Sequence, residues 1–252
     1  MASNDFPNRE GQLVPNITFR TREGGDWKTR TTDELFAGQN VIVFSLPGAF
    51  TPTCSSTHLP RFNELAPVFH QQGIDRIICV AVNDPFVMEE WGKSQECGNV
   101  LLLPDGNGAF TEGMGLMVDK TDLNFGRRSW RYSMLVRDRH IEKMFVEPQK
   151  PGDPFEVSDA DTMLAYVSSN ARKPPQIAVL TREGCGFCAK AKQDLKAAGY
   201  EYVELDLPTS IRSKALGAIA KAATVPQVFV DGALIGGSEE VEAWLKANPR
   251  AA

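Results

Sequence analysis

The apolar pattern of this chain stops once and then starts again, and that interruption restricts the fold more than any other feature. Before residue 170, apolar runs such as Asn40–Leu46 alternate with amphipathic segments such as Leu59–Gln72, which is typical of an α/β layered domain. The segment Asn170-Ala-Arg-Lys-Pro-Pro175 breaks the pattern, because two consecutive prolines cannot continue a helix and favour an extended linker. The sequence therefore predicts two α/β domains, residues 1–169 and 176–252, joined by the linker 170–175.

Strand-like and helix-like segments follow one another in both predicted domains. In the first domain, we predict strands at 40–46, 76–82, 100–103, 131–136 and 141–146, and helices at 59–72, after the turn Asn83-Asp84-Pro85 through Trp91, and at 159–168. In the second domain, we predict strands at 176–181, 202–205, 227–230 and 233–235, and helices at about 187–198, 211–222 and 238–247. The second order, βαβ followed by αββα, is typical of a small α/β sandwich.

Charge and cysteine content exclude several classes of protein. The chain has 27 Lys and Arg against 32 Asp and Glu, a net charge of −5, and neither side of Pro175 has an excess of basic residues, so nucleic acid is not an expected partner. The longest apolar runs are strand-sized, so no membrane association is expected. The polar N-terminus lacks the apolar core of a secretory signal. Five cysteines, widely spaced, do not form a disulfide framework, which predicts a reducing, cytoplasmic location.

Cys54 lies between a predicted strand and a predicted helix, in the segment Pro47-Gly-Ala-Phe-Thr51-Pro-Thr-Cys54. A thiol at the start of a helix faces unpaired backbone N–H groups and the positive end of the helix dipole, and both favour the thiolate. The residues alone leave two interpretations open, a reactive nucleophile or a small buried side chain in a proline-rich loop.

The motifs around Cys54 resemble those of the peroxiredoxins. Pro47-x-x-x-Thr51-x-x-Cys54 matches the active-site signature of that family, and Thr57-His58-Leu59-Pro60 is similar to its peroxiredoxin-5 subfamily. Two further motifs stand in the expected places, Val82-Asn-Asp-x-Phe-Val87 and Arg127-Arg-x-x-Arg131-x-Ser-Met134. The similarity covers about residues 5–168. It implies a thioredoxin-like fold, with a central mixed sheet flanked by helices, and a thiol peroxidase activity.

The resemblance also implies a role for each matching residue. Cys54 would be the peroxidatic thiolate, which attacks the terminal peroxide oxygen and becomes a sulfenic acid. Thr51 would bind the peroxide oxygens through its hydroxyl, and Pro47 would shield the site from water. Arg131 would stabilise the thiolate and the departing oxygen; Arg127 and Arg128 are nearby rivals that we expect to face solvent.

The remaining polar groups of the first domain are expected to be structural. His58 follows Cys54 by four residues, but an ionised cysteine needs no base, so we predict a structural or dimer-surface role. Cys79 is expected in a core strand, and Cys97 is expected to be structural. The segment Gly152–Ser158, where animal members of the subfamily have a second cysteine, contains none. The domain therefore resembles a one-cysteine peroxidase that needs an external thiol. The three histidines are scattered, so no metal site is expected.

A second reactive pair follows the linker, in Thr181-Arg-Glu-Gly-Cys185-Gly-Phe-Cys188. The C-x-x-C spacing at the start of a helix predicts that the Cys185 sulfur is exposed and acidified, while Cys188 lies one turn further on and is less accessible. A zinc half-site has the same spacing, but the chain has no second pair to complete it.

The second domain resembles glutaredoxin over about residues 175–249. The resemblance rests on the C-x-x-C pair together with Thr224-Val-Pro226-Gln227 and Gly236-Gly-Ser-Glu239. It implies a second thioredoxin-like fold, with Cys185 as the nucleophile, Cys188 as its redox partner, and Pro226 in the cis form. It also implies glutathione binding by Arg182, Cys185, Thr224, Val225, Pro226, Gly237, Ser238 and Glu239.

Two features depart from the common glutaredoxin pattern, and two of the matching features keep simpler interpretations. Gly186 stands where many glutaredoxins have proline, and Ser238-Glu239-Glu240 replaces a common Cys-Asp-Asp. Arg182 could be a solvated surface charge, and Gly236-Gly237 could be only a tight turn.

Together the two halves resemble the bacterial hybrid peroxiredoxin–glutaredoxin proteins. That resemblance implies a peroxidase for hydrogen peroxide and small alkyl hydroperoxides, with glutathione as the reducing co-substrate, no bound cofactor, and a homodimer or homotetramer. Two alternatives remain open at this point: an iron–sulfur carrier that uses Cys185 and glutathione, and a peroxide-sensing relay that oxidises partner proteins.

Overall fold

The computed structural model describes residues 6–249, which divide into two compact units, one ending at Arg172 and the other beginning at Lys173. The division falls inside the segment 170–175 that the sequence predicts as a linker. The outermost ends of the predicted domains, including the polar N-terminus, lie at residues 1–5 and 250–252, outside the described part of the chain. Within residues 6–249, no helix is both long enough and apolar enough to cross a membrane.

The first unit combines a central sheet with two small hairpins. Its strands are β1 (Thr18–Glu23), β2 (Asp26–Thr31), β3 (Asn40–Leu46), β4 (Arg76–Ala81), β5 (Leu101–Pro104), β6 (Met117–Asp119), β7 (Arg127–Ser129), β8 (Tyr132–Arg137) and β9 (His140–Val146). Its helices are α1 (Thr32–Phe36), α2 (Leu59–Gln71), α3 (Pro85–Ser94), α4 (Ala109–Met114) and α5 (Ala160–Val167), with a π-helical turn at Cys54–His58 and a 3-10 turn at Thr121–Leu123.

The main sheet of this unit has the strand order β5-β4-β3-β8-β9 over the described residues. β3, β4 and β5 are parallel, whereas β8 is antiparallel to both β3 and β9. The register pairs Ser45 near the end of β3 with Tyr132 at the start of β8. The residues just after β3 and just before β8 therefore meet at one edge of the sheet, although more than eighty positions separate them in sequence.

Both faces of this sheet are covered. One face packs against α2, α3 and α5 through a cluster that includes Phe44, Phe62, Trp91 and Met163. The other face packs against α1, α4 and the β1–β2 hairpin. The buried strands alternate side chains between the two clusters, as expected for a sheet with helices on both sides.

The second unit is a smaller version of the same plan. It contains β10 (Ile177–Thr181), α6 (Gly186–Ala197), β11 (Val203–Asp206), α7 (Thr209–Ile219), β12 (Gln227–Val230), β13 (Ala233–Gly236) and α8 (Ser238–Ala247). Its described strands have the order β11-β10-β12-β13, with β10 parallel to β11 and antiparallel to β12. α6 and α8 cover one face and α7 covers the other. The predicted fold class, two domains each with a mixed sheet flanked by helices, is confirmed.

Several short elements of the first unit are absent from the sequence-based prediction. They are the hairpins β1–β2 and β6–β7 and the helices α1 and α4. β2 is largely exposed along its whole length, and α1 has five residues, so neither carries a repeating apolar pattern long enough to be recognised.

Candidate active sites

Cys54 begins the turn that leads from the end of β3 into α2. It is the first residue of the π-helical turn, and its sulfur-bearing side chain has no exposed surface. The Ser55 N–H donates to the Thr51 carbonyl at 3.0 Å, and the Leu59 N–H donates to the Cys54 carbonyl. The Trp91 indole holds the same turn by donating to the Ser55 hydroxyl at 3.0 Å. The thiol therefore lies at a helix start, as the sequence predicts, but inside the protein.

Arg131 lies beside Cys54 because β8 pairs with β3. Its guanidinium is 1% exposed, and Nη2 donates to Cys54 Sγ at 3.5 Å. Burial alone would lower the pKa of Arg131, but the hydrogen bonds and negative charges of Asp153 and Cys54 outweigh it, and the pKa is raised. The rival arginines have other partners: Arg127 pairs with Glu112, and Arg128 donates to the Val82 carbonyl.

His58 faces the other side of the same guanidinium. Arg131 Nη1 lies 3.0 Å from His58 Nδ1, and His58 Nε2 lies 3.1 Å from the Ser158 carbonyl. A carbonyl only accepts and a guanidinium only donates, so the imidazole carries its proton on Nε2. Burial and the positive charge of Arg131 hold the pKa of His58 well below its usual range, against the hydrogen bond to Ser158. Of the two predicted roles for His58, structural or at a dimer surface, the structural one agrees with this side chain being fully buried inside its own unit, and the dimer-surface one does not.

The segment between β9 and α5 supplies two more contacts to Arg131. Asp153 accepts a hydrogen bond from Nη2, at 2.5 Å, and the Phe155 ring centre lies 5.4 Å from the guanidinium carbon. The Nε–H of Arg131 is buried and has no hydrogen-bond partner among residues 6–249. One guanidinium therefore binds a thiol, an imidazole and a carboxylate, while its Nε–H has no partner among these residues.

A buried carboxylate holds this segment in place. Glu147, which is 1% exposed, accepts hydrogen bonds from the backbone N–H groups of Glu156, Val157 and Ser158 and from the Ser158 hydroxyl, at 2.7–2.9 Å. Three converging N–H donors make a site for a negative charge. Through it, Glu147 fixes the backbone that carries both Asp153 and the carbonyl partner of His58.

The other predicted residues of the first site lie in the loop before Cys54. The Thr51 hydroxyl donates to the Gly48 carbonyl at 2.9 Å, and Pro47 is buried at the end of β3. Thr51, Pro47, Cys54 and Arg131 are thus gathered at one edge of the sheet.

Cys79 and Cys97 are not disulfide-bonded in the described part of the chain. Cys79 lies in β4 with no exposed surface, and burial raises its pKa well above the usual range. Burial also raises the pKa of Cys97 to about 11, although a contact with the Val100 carbonyl opposes it. Both environments disfavour the thiolate, so neither residue is a good nucleophile.

In the second unit, Cys185 caps the N-terminus of α6 and is disulfide-bonded to Cys188. Their Cα atoms are 5.2 Å apart, and the Cys188 N–H donates to Cys185 Sγ at 3.2 Å. The expectation that Cys185 is exposed is wrong: it is 9% exposed, and Cys188 is 2% exposed. The Cys185 sulfur lies 3.9 Å from the Val225 carbonyl oxygen.

A cleft of about 800 Å³ opens beside Cys185. All eight residues that the sequence predicts for glutathione binding line it: Arg182, Cys185, Thr224, Val225, Pro226, Gly237, Ser238 and Glu239. The Val225–Pro226 peptide bond is cis. On the side of α8, the Glu240 carboxylate accepts from the Gly237 N–H at 2.8 Å. The cleft therefore combines a disulfide, an exposed backbone segment and a helix N-terminus.

Family models assign both halves of the chain. The Redoxin family matches residues 9–164, and the Glutaredoxin family matches residues 177–235. The hybrid peroxiredoxin hyPrx5 of Haemophilus influenzae is 55% identical over 235 residues, which cover 93% of this chain and 98% of that relative. The chain belongs to the hybrid peroxiredoxins. It is a peroxidase of the peroxiredoxin type with a fused glutaredoxin domain.

Other peroxiredoxins match the first unit alone. Peroxiredoxin sll1621 of Synechocystis is 54% identical and covers 62% of this chain and 89% of the relative. The crystal structure of reduced Prx3 in complex with H2O2 from Vibrio vulnificus is 40% identical, with a TM-score of 0.59, over 63% of this chain and 98% of that one. Peroxiredoxin 5 of Alvinella pompejana is 30% identical, with a TM-score of 0.57, over 65% and 100%.

Sequence reasoning missed several residues at the two sites of this peroxiredoxin. No sequence motif marks Asp153 or Glu147. Asp153 binds Arg131, which is remote in sequence, and Glu147 binds mainly backbone N–H groups, which any residue type provides. In the second cleft, Phe187, Arg212 and Gln227 also line the wall. Arg212 is held by Nε, which donates to the Leu207 carbonyl at 2.9 Å. In the sequence it is a cation near the start of α7, with no motif that sets it apart from a solvated surface residue. Among residues 6–249, no group of three or more His, Cys, Asp or Glu could hold a metal ion.

Proposed function

We propose that this peroxiredoxin is a glutathione-dependent peroxidase that reduces hydrogen peroxide and small alkyl hydroperoxides. In this proposal, residues 1–169 form the peroxidase domain, 170–175 the linker and 176–252 the glutaredoxin domain. The observation that carries it is the hydrogen bond from Arg131 to Cys54, in a unit whose other two cysteines have no such partner over residues 6–249 and have pKa values raised by burial.

Cys54 is the peroxidatic residue. Its thiolate attacks the terminal oxygen of the hydroperoxide, the O–O bond breaks, and the sulfur keeps the OH group as a sulfenic acid. The other oxygen leaves with the electron pair and takes up a proton to become water or an alcohol. Arg131 stabilises the thiolate and the leaving oxygen, and its unpartnered Nε–H is a donor available to a peroxide oxygen. Thr51 contributes its hydroxyl, and Pro47 excludes water.

Glutathione then restores the thiol in one condensation followed by two thiol–disulfide exchanges. One glutathione condenses with the sulfenic acid, which releases water and leaves a mixed disulfide on Cys54. The Cys185 thiolate attacks the glutathione sulfur, which frees Cys54 and glutathionylates Cys185. A second glutathione releases oxidised glutathione and regenerates Cys185. The net reaction consumes one hydroperoxide and two glutathiones and yields the alcohol (or water), water and one glutathione disulfide.

The cleft beside Cys185 has the groups that this tripeptide needs. Arg182 and Arg212 provide positive charge for its carboxylates, the Val225 backbone faces its cysteinyl part, and the α8 N-terminus at Gly237 receives its γ-glutamyl end. Ser238 and Glu239 stand beside Gly237 on the same wall. The proposal places the reaction in the reducing cytoplasm, in a homodimer or homotetramer, with no bound cofactor.

The test is steady-state peroxide loss coupled to glutathione reductase and NADPH, with no added glutaredoxin or thioredoxin. We expect sustained turnover in the full chain, no turnover in Cys54→Ser, and at least a tenfold loss in Cys185→Ser. Cys97→Ser is the matched control and keeps the wild-type rate. Turnover that appears only after an external thioredoxin is added would contradict the proposal.

A further inference from the structure

Asp153 shares one nitrogen of Arg131 with the Cys54 sulfur. Nη2 donates to Asp153 Oδ2 at 2.5 Å and to Cys54 Sγ at 3.5 Å. Arg131 is buried, whereas the Asp153 side chain is 39% exposed. The carboxylate therefore stands at the solvent side of the guanidinium, close to the sulfur that a peroxide must reach.

The charges around this nitrogen do not cancel when Cys54 is a thiolate. Arg131 contributes one positive charge, and Asp153 and the thiolate contribute one negative charge each. His58 is neutral, because burial and Arg131 lower its pKa. Together these four groups carry a net charge of −1, in surroundings where charges interact more strongly than in water.

We propose that Asp153 determines which peroxides react at Cys54, by favouring uncharged hydroperoxides over anionic ones. The proposal rests on the assignment of Cys54 as the peroxide-reducing thiol. An uncharged hydroperoxide approaches the site without electrostatic repulsion. An anionic hydroperoxide is repelled by the Asp153 carboxylate and the Cys54 thiolate, and the single positive charge of Arg131 offsets only one of them.

The other charged side chains near this segment bind groups other than Asp153 and Arg131, so removing the Asp153 charge still changes the local charge by one unit. Lys120 Nζ donates to the Gly152 carbonyl at 3.4 Å and lies 4.9 Å from the Trp130 ring centre. Lys150 and Glu156, in the same segment, pair with each other at 2.8 Å. Among the hydrogen bonds of the described residues, Asp153 supplies the one carboxylate that Arg131 binds.

The expected size of the discrimination follows from Coulomb's law. Two unit charges about 8 Å apart, at an effective dielectric constant of about 40, repel each other enough to lower an encounter constant about fivefold. Removing the Asp153 charge should raise the encounter constant of an anionic hydroperoxide about fivefold and should change that of a neutral hydroperoxide little.

The test uses a matched pair of substrates, a tertiary alkyl hydroperoxide with a terminal carboxylate and the methyl ester of the same hydroperoxide. Loss of the Cys54 thiol of the reduced full-length protein is followed by rapid quench in a single turnover. We expect the wild type to prefer the ester about fivefold or more, and Asp153→Asn to lose about fivefold of that preference. An unchanged preference in Asp153→Asn overturns the proposal.

Two controls make the result specific. Glu156→Gln removes another carboxylate of the same segment that pairs with Lys150 rather than Arg131, and it should keep the wild-type preference. Added salt should speed the reaction of the wild type with the carboxylate and not with the ester, since salt screens the repulsion. A wild-type preference that salt does not change also overturns the proposal. This result does not depend on whether Asp153→Asn folds, because it is measured on the wild type.

Failure of the underlying assignment gives a different result. If Cys54→Ser still reduces both hydroperoxides at the wild-type rate, the peroxidatic role of Cys54 is wrong. If Cys54→Ser is inactive and the preference is the same in the wild type and Asp153→Asn, only the role of Asp153 is wrong.

Discussion

Arg131 and His58 fix each other's state at the scale of single residues. The guanidinium can only donate, so the imidazole nitrogen facing it must accept, and the ring cannot take up a second proton without losing that bond. In return, the ring holds Nη1 while Nη2 faces the sulfur. A histidine four residues after a nucleophilic cysteine would ordinarily be considered as its base, but His58 instead accepts a hydrogen bond from Arg131 and so positions the guanidinium.

The depressed pKa of His58 makes a signed prediction for stability. The unfolded chain binds a proton on this residue as the pH falls below about 6.5, whereas the folded protein does not. His58 therefore destabilises the fold as the pH falls, by at most about 1.4 kcal/mol for each pH unit. We expect His58→Gln, whose amide can both donate and accept, to lose less stability than the wild type between pH 7 and pH 5.

This prediction is checked by urea unfolding of the two proteins at each pH. His140→Gln is the matched control, because His140 is exposed and its replacement should leave the pH dependence of the wild type. Parallel curves for the wild type and His58→Gln would show that the buried imidazole is not the source.

At the scale of elements, the segment between β9 and α5 matters more for the first site than its irregular backbone suggests. It has no regular secondary structure over residues 148–159, yet it carries Asp153, Phe155 and the carbonyl partner of His58. Its order depends on the Glu147 carboxylate, which accepts three backbone N–H groups and one hydroxyl.

We predict that Glu147→Gln disturbs the peroxidase site from a distance. The amide cannot satisfy all four donors and turns a donor of its own toward them, so we expect a loss of about 1–3 kcal/mol in the free energy of unfolding of the first unit. Arg131 is then less well placed, and we expect Cys54 oxidation by hydrogen peroxide to slow about tenfold.

Activity of the second unit provides the internal control for this variant. Deglutathionylation of a small mixed disulfide depends on the Cys185 cleft and should stay at the wild-type rate. Equal losses in both activities would show general misfolding rather than a local effect on Arg131.

The elements also show how far sequence reasoning reaches. β3, β12 and α8 begin and end where the pattern predicts them, because buried strands and amphipathic helices repeat their apolar residues over a sufficient length. The β1–β2 hairpin escapes such reasoning, since β2 buries no residue. The reactive residues Cys54 and Cys185 could also be predicted, because the motifs that contain them are short and continuous in sequence. The contacts of Asp153 and Glu147 depend instead on how β8, β9 and the following segment meet in space, which no local pattern records.

At the scale of the whole molecule, the chain has two compact units with separate hydrophobic clusters and one set of reactive cysteines in each. The first unit lacks a second cysteine with a suitable environment, since Cys79 and Cys97 both have raised pKa values. The second unit has two, at 5.2 Å between Cα atoms. The division of thiols matches the division of tasks in the proposed cycle, between oxidation of Cys54 and its reversal.

We predict that the second unit needs one of its two cysteines for turnover. Cys188→Ser should retain at least half of the glutathione-dependent peroxidase rate, because glutathione itself can release the glutathionyl group from Cys185. Cys185→Ser should lose at least nine-tenths of it. Both rates are measured in the coupled assay with glutathione reductase, and complete loss in Cys188→Ser would show that the dithiol route is obligatory.

The complete burial of Cys54 has a consequence for the timing of the reaction. A molecule of a few atoms can enter a site with no exposed sulfur surface, but a tripeptide cannot bond to that sulfur while the turn Cys54–His58 remains closed. In the proposed cycle, the thiol would therefore meet a hydroperoxide in the closed protein and glutathione only after the turn has opened. The sulfenic acid would persist until then, and the hydrogen bond from Trp91 to Ser55 is one contact that holds the turn closed.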